Sequence, residues 1–218
     1  MQADNRAMPD ALALFPLQQV LFPGGTLRLR IFEPRYLDLI KRCAEQGLPF
    51  GVVALIEGSE VREREAEGEG FKRERFHTVG TLAHLVEAET AQPGLMHLQA
   101  RGGQRFELRS SDRLPHGLWV GDAALLDEDR AVPVPRDLQR LVLLLQNLVH
   151  TLELGGSAAQ LPIQPPYDWD DCGWLSNRWA ELLPLACAER QRLMALDNPL
   201  LRLELVADQL EALGISEA

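Results

Sequence analysis

The chain has 218 residues and a formal net charge of −10, with a sequence pI near 5.0. A chain of this length buries roughly 70% of the surface its unfolded form exposes, so it can hold a core without disulfide or metal staples. The acidic balance disfavours unspecific attraction to phosphate backbones, so nucleic acid is not the expected partner.

The first ten residues, MQADNRAMPD, carry acidic groups and no long apolar core. They read as neither a secretory signal nor a transit peptide, and residues 1–11 are expected to be a flexible N-terminus. From Leu12 to about Val120 the pattern is mostly short apolar runs of period near two, punctuated by Gly and Pro, which argues strands. The strand candidates are Leu14–Val20, Leu27–Ile31, Phe50–Ile56, Phe76–Glu87, Leu95–Arg101, Arg105–Ser110 and Leu118–Leu126. In the second of these Leu27, Leu29 and Ile31 alternate with Arg28 and Arg30, which puts the apolar side on a core and the arginines in water. So many strands in one stretch point to a closed sheet, because closure removes exposed edges.

A helix over 34–46 interrupts the strands. Glu33 and Pro34 mark its start, since Pro at N1 lacks only an N–H that would have no intrahelical partner, and Gly47 is its stop. Tyr36, Leu37, Ile40, Cys43 and Ala44 line one face at helical spacing. Residues 57–76, EGSEVREREAEGEGFKRERF, are strongly charged with mixed signs and are expected to form a solvated hairpin or loop.

After Pro133-Val134-Pro135 the period changes to 3.6, and residues 131–218 are expected to form a helical subdomain. Leu138, Leu141, Val142, Leu145, Leu148, Val149 and Leu152 make an apolar stripe closed by Gly155-Gly156. A Pro-rich link, LPIQPPYDWDD, follows. Ser176 is the expected N-cap of a short helix carrying Trp179, Leu182 and Leu183 as far as Pro184. Another helix is expected over 187–196. Asn198-Pro199 then opens a last helix, whose apolar face holds Leu203, Val206, Leu210 and Leu213. The two halves are expected to pack together.

Four separated motifs in order carry a resemblance to a known family. They are LFPLQQVLFPGGTLRLRIFEPRYLDLI at 14–40, VGTLAHLVEAE at 79–89, LQARGGQRFEL at 98–108 and RWAELLPLACAERQRLMALDNPLLRLELV at 178–206. Together they resemble the Lon protease N-terminal, substrate-binding domain over about residues 12–206. The resemblance implies an α+β fold, a β-rich PUA-like barrel subdomain over 12–130 followed by an α-helical bundle over 131–218, together one LON substrate-binding domain. It also implies recognition of unfolded or flexible polypeptides, with a protease as a further partner. PUA-like barrels commonly contact RNA, which leaves RNA binding as the alternative, although no basic stripe with interleaved aromatics occurs. A third alternative is an unrecognised small-ligand-binding protein or enzyme.

Full-length Lon proteins add machinery that these residues lack. There is no G-x-x-x-x-G-K-[ST] to cradle nucleotide phosphates, and no Ser-Lys peptidase segment is recognisable. Neither ATP hydrolysis nor proteolysis is expected of this polypeptide, which is read as a non-enzyme with no catalytic residues and no cofactor. His77, His84, His97, His116 and His150 are scattered, with no His-x-x-x-His spacing, so no metal site is expected. Cys172 in DWDDCGW has Asp168, Asp170 and Asp171 around it, which disfavour a thiolate nucleophile and suit a structural thiol at a helix start. Cys43, Cys172 and Cys187 make neither a disulfide framework nor a zinc motif, and a reducing cytoplasm is the expected compartment. No apolar run approaches the length of a membrane span, so no membrane partner is expected.

The candidate binding residues are Arg35, Tyr36, Trp169 and Trp174. Arg35 has the planar fork to clamp a carboxylate of a bound peptide, and its structural role would be to tie the Glu33-capped helix to the rest of the fold. Trp169 and Trp174, with Tyr167, sit in the Pro-rich link beside aspartates. There they offer an apolar, acid-rimmed surface to an extended segment, or pack the link over the barrel. Trp119 and Trp179 are expected in the core.

Overall fold

The structure is a computed structural model that describes residues 11–58, 60, 74–155 and 163–215. The fold is α+β. Strands β1 (Leu12–Leu17) and β2 (Thr26–Ile31) precede helix α1 (Pro34–Gln46). Strands β3 (Phe50–Glu57), β4 (Arg75–Phe76), β5 (Val79–Gln92), β6 (Leu95–Arg113) and β7 (Trp119–Leu125) follow. Helices α2 (Gln139–Leu154), α3 (Cys172–Leu182), α4 (Cys187–Met194) and α5 (Pro199–Ala212) end the chain. It divides into two compact units, one holding residues 11–21 and 27–127, the other Phe22–Thr26 and Glu128–Ile215 among the described residues. A single cut near residue 130 leaves out the assignment of the short Phe22–Thr26 segment to the second unit.

In the first unit the strands run in the order β1-β7-β6-β5-β3, and β1 also pairs with β3, which closes the sheet into a barrel. The closing pair is parallel, with Leu14 opposite Gly51 and Leu17 opposite Ala54. A parallel pair needs a long crossover, and β2 with α1 supplies it. Leu12, Leu14, Val53, Leu82, Phe106 and Leu108 form one buried cluster. A second cluster gathers Phe15, Leu17, Leu27, Ile31, Tyr36, Leu39, Ile40 and Cys43 with Met96, Leu98 and Ala100. The second cluster therefore joins α1 and β2 to the barrel and to the far part of the β5–β6 hairpin.

Two strand expectations change. The runs 95–101 and 105–110 are one continuous strand, β6, in which Gly102 pairs with Ala83 and Arg105 with Thr81, the register shifting by one residue between them. Gly102-Gly103 lies between the two expected runs, and a Cβ on Gly103 would fall 2.5 Å from His84 Nε2, so glycine answers close packing here. Phe76 lies on the separate strand β4, and β5 runs on to Gln92 before a Pro93-Gly94 turn in which Gly94 has φ +81°.

α1 ends as expected at Gly47, which takes the left-handed conformation at φ 66° and donates its N–H to the Cys43 carbonyl. In the second unit α2 buries Leu141, Val142, Leu145 and Val149, with Leu138 buried just before it. Gly155 follows α2, while Gly156 lies outside the described residues. α3 starts at Asp171 rather than at Ser176. The Asp171 carboxylate accepts the Trp174 N–H at 2.7 Å, whereas Ser176 is buried inside the helix with its hydroxyl on the Gly173 carbonyl. Gly173, inside the helix, leaves room for the Asp129 carboxylate, which a Cβ there would meet at 2.9 Å. Asn198 caps α5, accepting from the Leu200 and Leu201 N–H groups at 3.1 Å each. Leu203, Val206 and Leu210 are buried as expected, but Leu213 lies beyond the helix and is exposed, since the chain turns at Gly214 with φ +72°.

Candidate functional site

Arg35 sits in the first turn of α1 and is 5% exposed. Its Nε donates to Glu33 Oε2 at 3.0 Å, its Nη1 donates to the Gly117 carbonyl at 2.7 Å, and its Nη2 lies 3.7 Å from Glu74 Oε1. The guanidinium carbon also stands 4.5 Å from the centre of the Tyr36 ring. Glu33 therefore occupies the N-cap position without capping: its carboxylate is drawn to the buried Arg35, and no side-chain bond reaches the helix N–H groups. Tyr36 is buried and stacks flat on Phe15, with ring centres 3.8 Å apart. Burial, ahead of the charges around it, pushes its phenol above the ordinary range.

Glu74 is the acidic centre of this cluster, buried to 7% exposure. Besides Arg35 it accepts from the Trp119 indole N–H, and Arg113 Nη2 approaches to 4.0 Å while its guanidinium lies over the Trp119 ring. Trp119 is thus half-buried with its polar edge satisfied, and Phe76 packs against it edge to face at 5.2 Å. Most of the charged segment 57–76 lies outside the described residues. Its ends are held, however: Arg75 pairs with Glu57 at 2.8 Å, and Glu60 accepts the Gln18 N–H.

The Gly-Thr-x-Ala strand has a comparable internal logic. A Cβ on Gly80 would fall 2.6 Å from the Phe106 ring, the Thr81 hydroxyl donates to the Leu21 carbonyl at 2.6 Å, and Ala83 is fully buried opposite Phe50. Arg105 and Phe106 of the following motif are both buried.

In the second unit, Tyr167, Trp169 and Trp174 come together. Ring centres are 5.0 Å apart for Tyr167–Trp169, 4.9 Å for Trp169–Trp174 and 6.1 Å for Tyr167–Trp174, all tilted or edge to face. The three are half-buried, Asp168 and Asp170 beside them are exposed, and the Tyr167 hydroxyl donates to Glu153 Oε1 at 3.1 Å. The link is fixed at its end: Pro133 bridges to Asp171, the Cys172 N–H donates to the Val132 carbonyl at 2.8 Å, and Asp171 also accepts the Val132 N–H. Rings this close pack on one another and leave no slot between them. What they offer is a braced aromatic face with an acidic border.

Cys172 is fully buried, with its thiol 3.5 Å from the Pro133 carbonyl. Burial first, then Asp171, Asp170 and Glu204, push it up to about 11, the opposite of what a nucleophile needs. Among the described residues no group of three or more His, Cys, Asp or Glu is placed to hold a metal ion. No helix there is long and apolar enough to cross a membrane.

The polar core of the second unit was not foreseen. Arg202, 1% exposed, holds Asp129 with both terminal nitrogens at 2.6 and 3.1 Å, Asn177 Oδ1 at 3.0 Å and the Leu193 carbonyl at 3.0 Å. Arg178, also 1% exposed, donates to the Pro23 carbonyl at 2.8 Å and lies 3.0 Å from Glu181. The sequence signal was the arginine inside each apolar helix run of the closing motif.

Residues 11–212 match the ATP-dependent protease La (LON) substrate-binding domain. The chain belongs to this family. The resemblance expected over 12–206 thus holds over almost the same range. The Lon substrate-binding fold is also seen in solved structures. A Lon N-terminal domain protein from Xanthomonas campestris is 29% identical, with a TM-score of 0.67 over 90% of this chain and 96% of that one. The N-terminal domain of the Mycobacterium avium complex Lon protease shows the same fold at 13% identity, with a TM-score of 0.59 over 92% of this chain and 98% of its own. The Lon protease of Parabacteroides distasonis is 25% identical over 197 residues, which is 87% of this chain but 22% of that protein. The Lon protease of Phenylobacterium zucineum is 24% identical over 60% of this chain and 15% of its own length. The chain therefore spans less than a quarter of either protease. The LON substrate-binding domain is itself a non-catalytic part.

Proposed function

We propose that this chain is a non-enzymatic, cytoplasmic polypeptide-binding module that recognises exposed or unfolded segments of other proteins and can act as an adaptor to a protease. The observation that carries the reading is the family match across residues 11–212. The geometry supports it in two ways. The thiol most open to suspicion as a nucleophile is buried and raised, and the tilted rings of Tyr167, Trp169 and Trp174 form an apolar face bordered by aspartates. Trp169 and Trp174 are the proposed contacts for a client. Arg35 and Tyr36 act from beneath the surface, holding α1 in the first unit, because every face of the guanidinium is engaged by its own chain.

The purified protein should bind fluorescently labelled unfolded proteins with micromolar affinity, about −8 kcal/mol, and leave them uncleaved. Anisotropy titrations against several unfolded proteins, followed by electrophoresis of the mixtures, test both halves. Absence of binding to all of them overturns the reading, and cleavage overturns the non-enzymatic part.

A further inference from the structure

The antiparallel pairing of β3 with β5 ends at Phe50 opposite Ala83. Pro49, the next residue back along β3, has no N–H and cannot extend the ladder, and the chain there leaves for Gly47 and α1. β5 nevertheless continues to Gln92, paired with β6 alone on its other side. From Val86 onward its outer edge has no neighbouring strand among the described residues. A cavity of about 360 Å³ opens beside this edge, between the last turn of α1 at Cys43, Ala44 and Gly47 and the strand at His84–Ala88. That volume falls within the roughly 300–1,000 Å³ of ligand sites.

We propose that this groove takes an extended, basic polypeptide segment, which adds as a strand to the free edge of β5 with its side chains between the strand and α1. The proposal rests on the polypeptide-binding reading above and gives it a place and a client chemistry. A row of unpaired backbone groups is a template for one more strand, and a helix alongside limits which side chains fit. The pairing of β5 with β6 shifts register between Leu85 and Glu87. Such a bulge re-aims a side chain, and Val86 here is 60% exposed at the groove, an apolar contact no other strand covers. The charge preference comes from both walls. Glu87 lines the groove, and the last turn of α1 has no basic residue to offset its carbonyl end. A lysine or arginine of the incoming segment meets both.

The probes are a short labelled peptide of alternating lysine and valine, its glutamate–valine counterpart, and the lysine–valine peptide with alternate backbone nitrogens methylated. Anisotropy should rank the first tightest, with the other two weaker by at least about tenfold. Glu87→Lys, a surface change, should reverse the preference between the charged peptides. Hydrogen exchange should show amides in 84–92 slowed on binding, a readout that needs no variant. Equal affinity for the methylated peptide, an unreversed preference in Glu87→Lys, or unslowed amides in 84–92 overturns the proposal. If unfolded proteins still bind under those outcomes, the groove is wrong and the polypeptide-binding reading stands; if neither they nor the peptides bind, both fall.

Discussion

Arg202 shows what a charge inside a helix face does when its partners come with it. Its guanidinium spends its donors on Asp129, Asn177 and the Leu193 and Leu196 carbonyls, all within the second unit. Truncation to alanine would leave Asp129 facing a cavity and two carbonyls without their donor. Arg202→Ala should cost about 3–5 kcal/mol in urea denaturation, the range for breaking a buried pair on one side. Arg202→Lys should recover only part of this, because an ammonium cannot span the fork. Cys172 gives a pH signature of the opposite kind. Its thiol has an ordinary value of 9.0 and is pushed up to about 11 in the fold. The unfolded chain therefore loses that proton first, so stability should fall as pH climbs from about 9 through about 11. Tyr36, also raised by burial, adds to the loss at still higher pH. Thermal melts from pH 7 to 11 check the trend, and Cys172→Ala should flatten its lower part. A stability that rises across that interval would contradict the assigned environment.

The helix starts show how much of the fold could be read from the sequence and where reading failed. Pro34, Gly47, Asn198 and Pro199 act through backbone geometry or a bond to a near neighbour, and these local signals placed the ends of α1 and the start of α5. Gly173 and Gly102-Gly103 give no such local signal, and the separation of the runs 95–101 and 105–110 rests on the latter pair. Their small size answers distant side chains, Asp129 and His84, which no local window contains. The same holds for candidate residues. The motif around Arg35 was visible, but its engagement by Gly117 and Glu74, both far along the chain, was not. The link aromatics were visible as a group, and only the three-dimensional arrangement shows them leaning on one another. The N-cap of α3 joins the two kinds of information. Asp171 caps its own helix through the Trp174 N–H and also accepts the Val132 N–H from a distant segment. Asp171→Ala should therefore cost more than Asn198→Ala, whose bonds are all local and worth about 1 kcal/mol. Paired urea denaturation curves of the two variants give the comparison. Equal losses would mean that the tie to Val132 contributes nothing.

A formal charge of −10 over 218 residues sets the long-range field in which any client approaches. Such a field attracts basic chains and repels acidic ones before any contact forms, and its reach shrinks from about 8 Å at physiological salt to about 3 Å at 1 M. The apolar contacts proposed at Trp169, Trp174 and Val86 would not weaken in the same way, because burial of apolar surface does not depend on a Debye length. The two contributions can therefore be separated by salt. Affinity for an unfolded basic protein should fall between 0.15 and 1 M sodium chloride, by about tenfold, while affinity for an unfolded protein of near-zero net charge should hold or rise. Anisotropy titrations of both clients across that range measure the difference. Equal salt dependence would place recognition entirely on apolar contacts, and the acidic border of the aromatic face and of the β5 groove would then have no part in choosing clients.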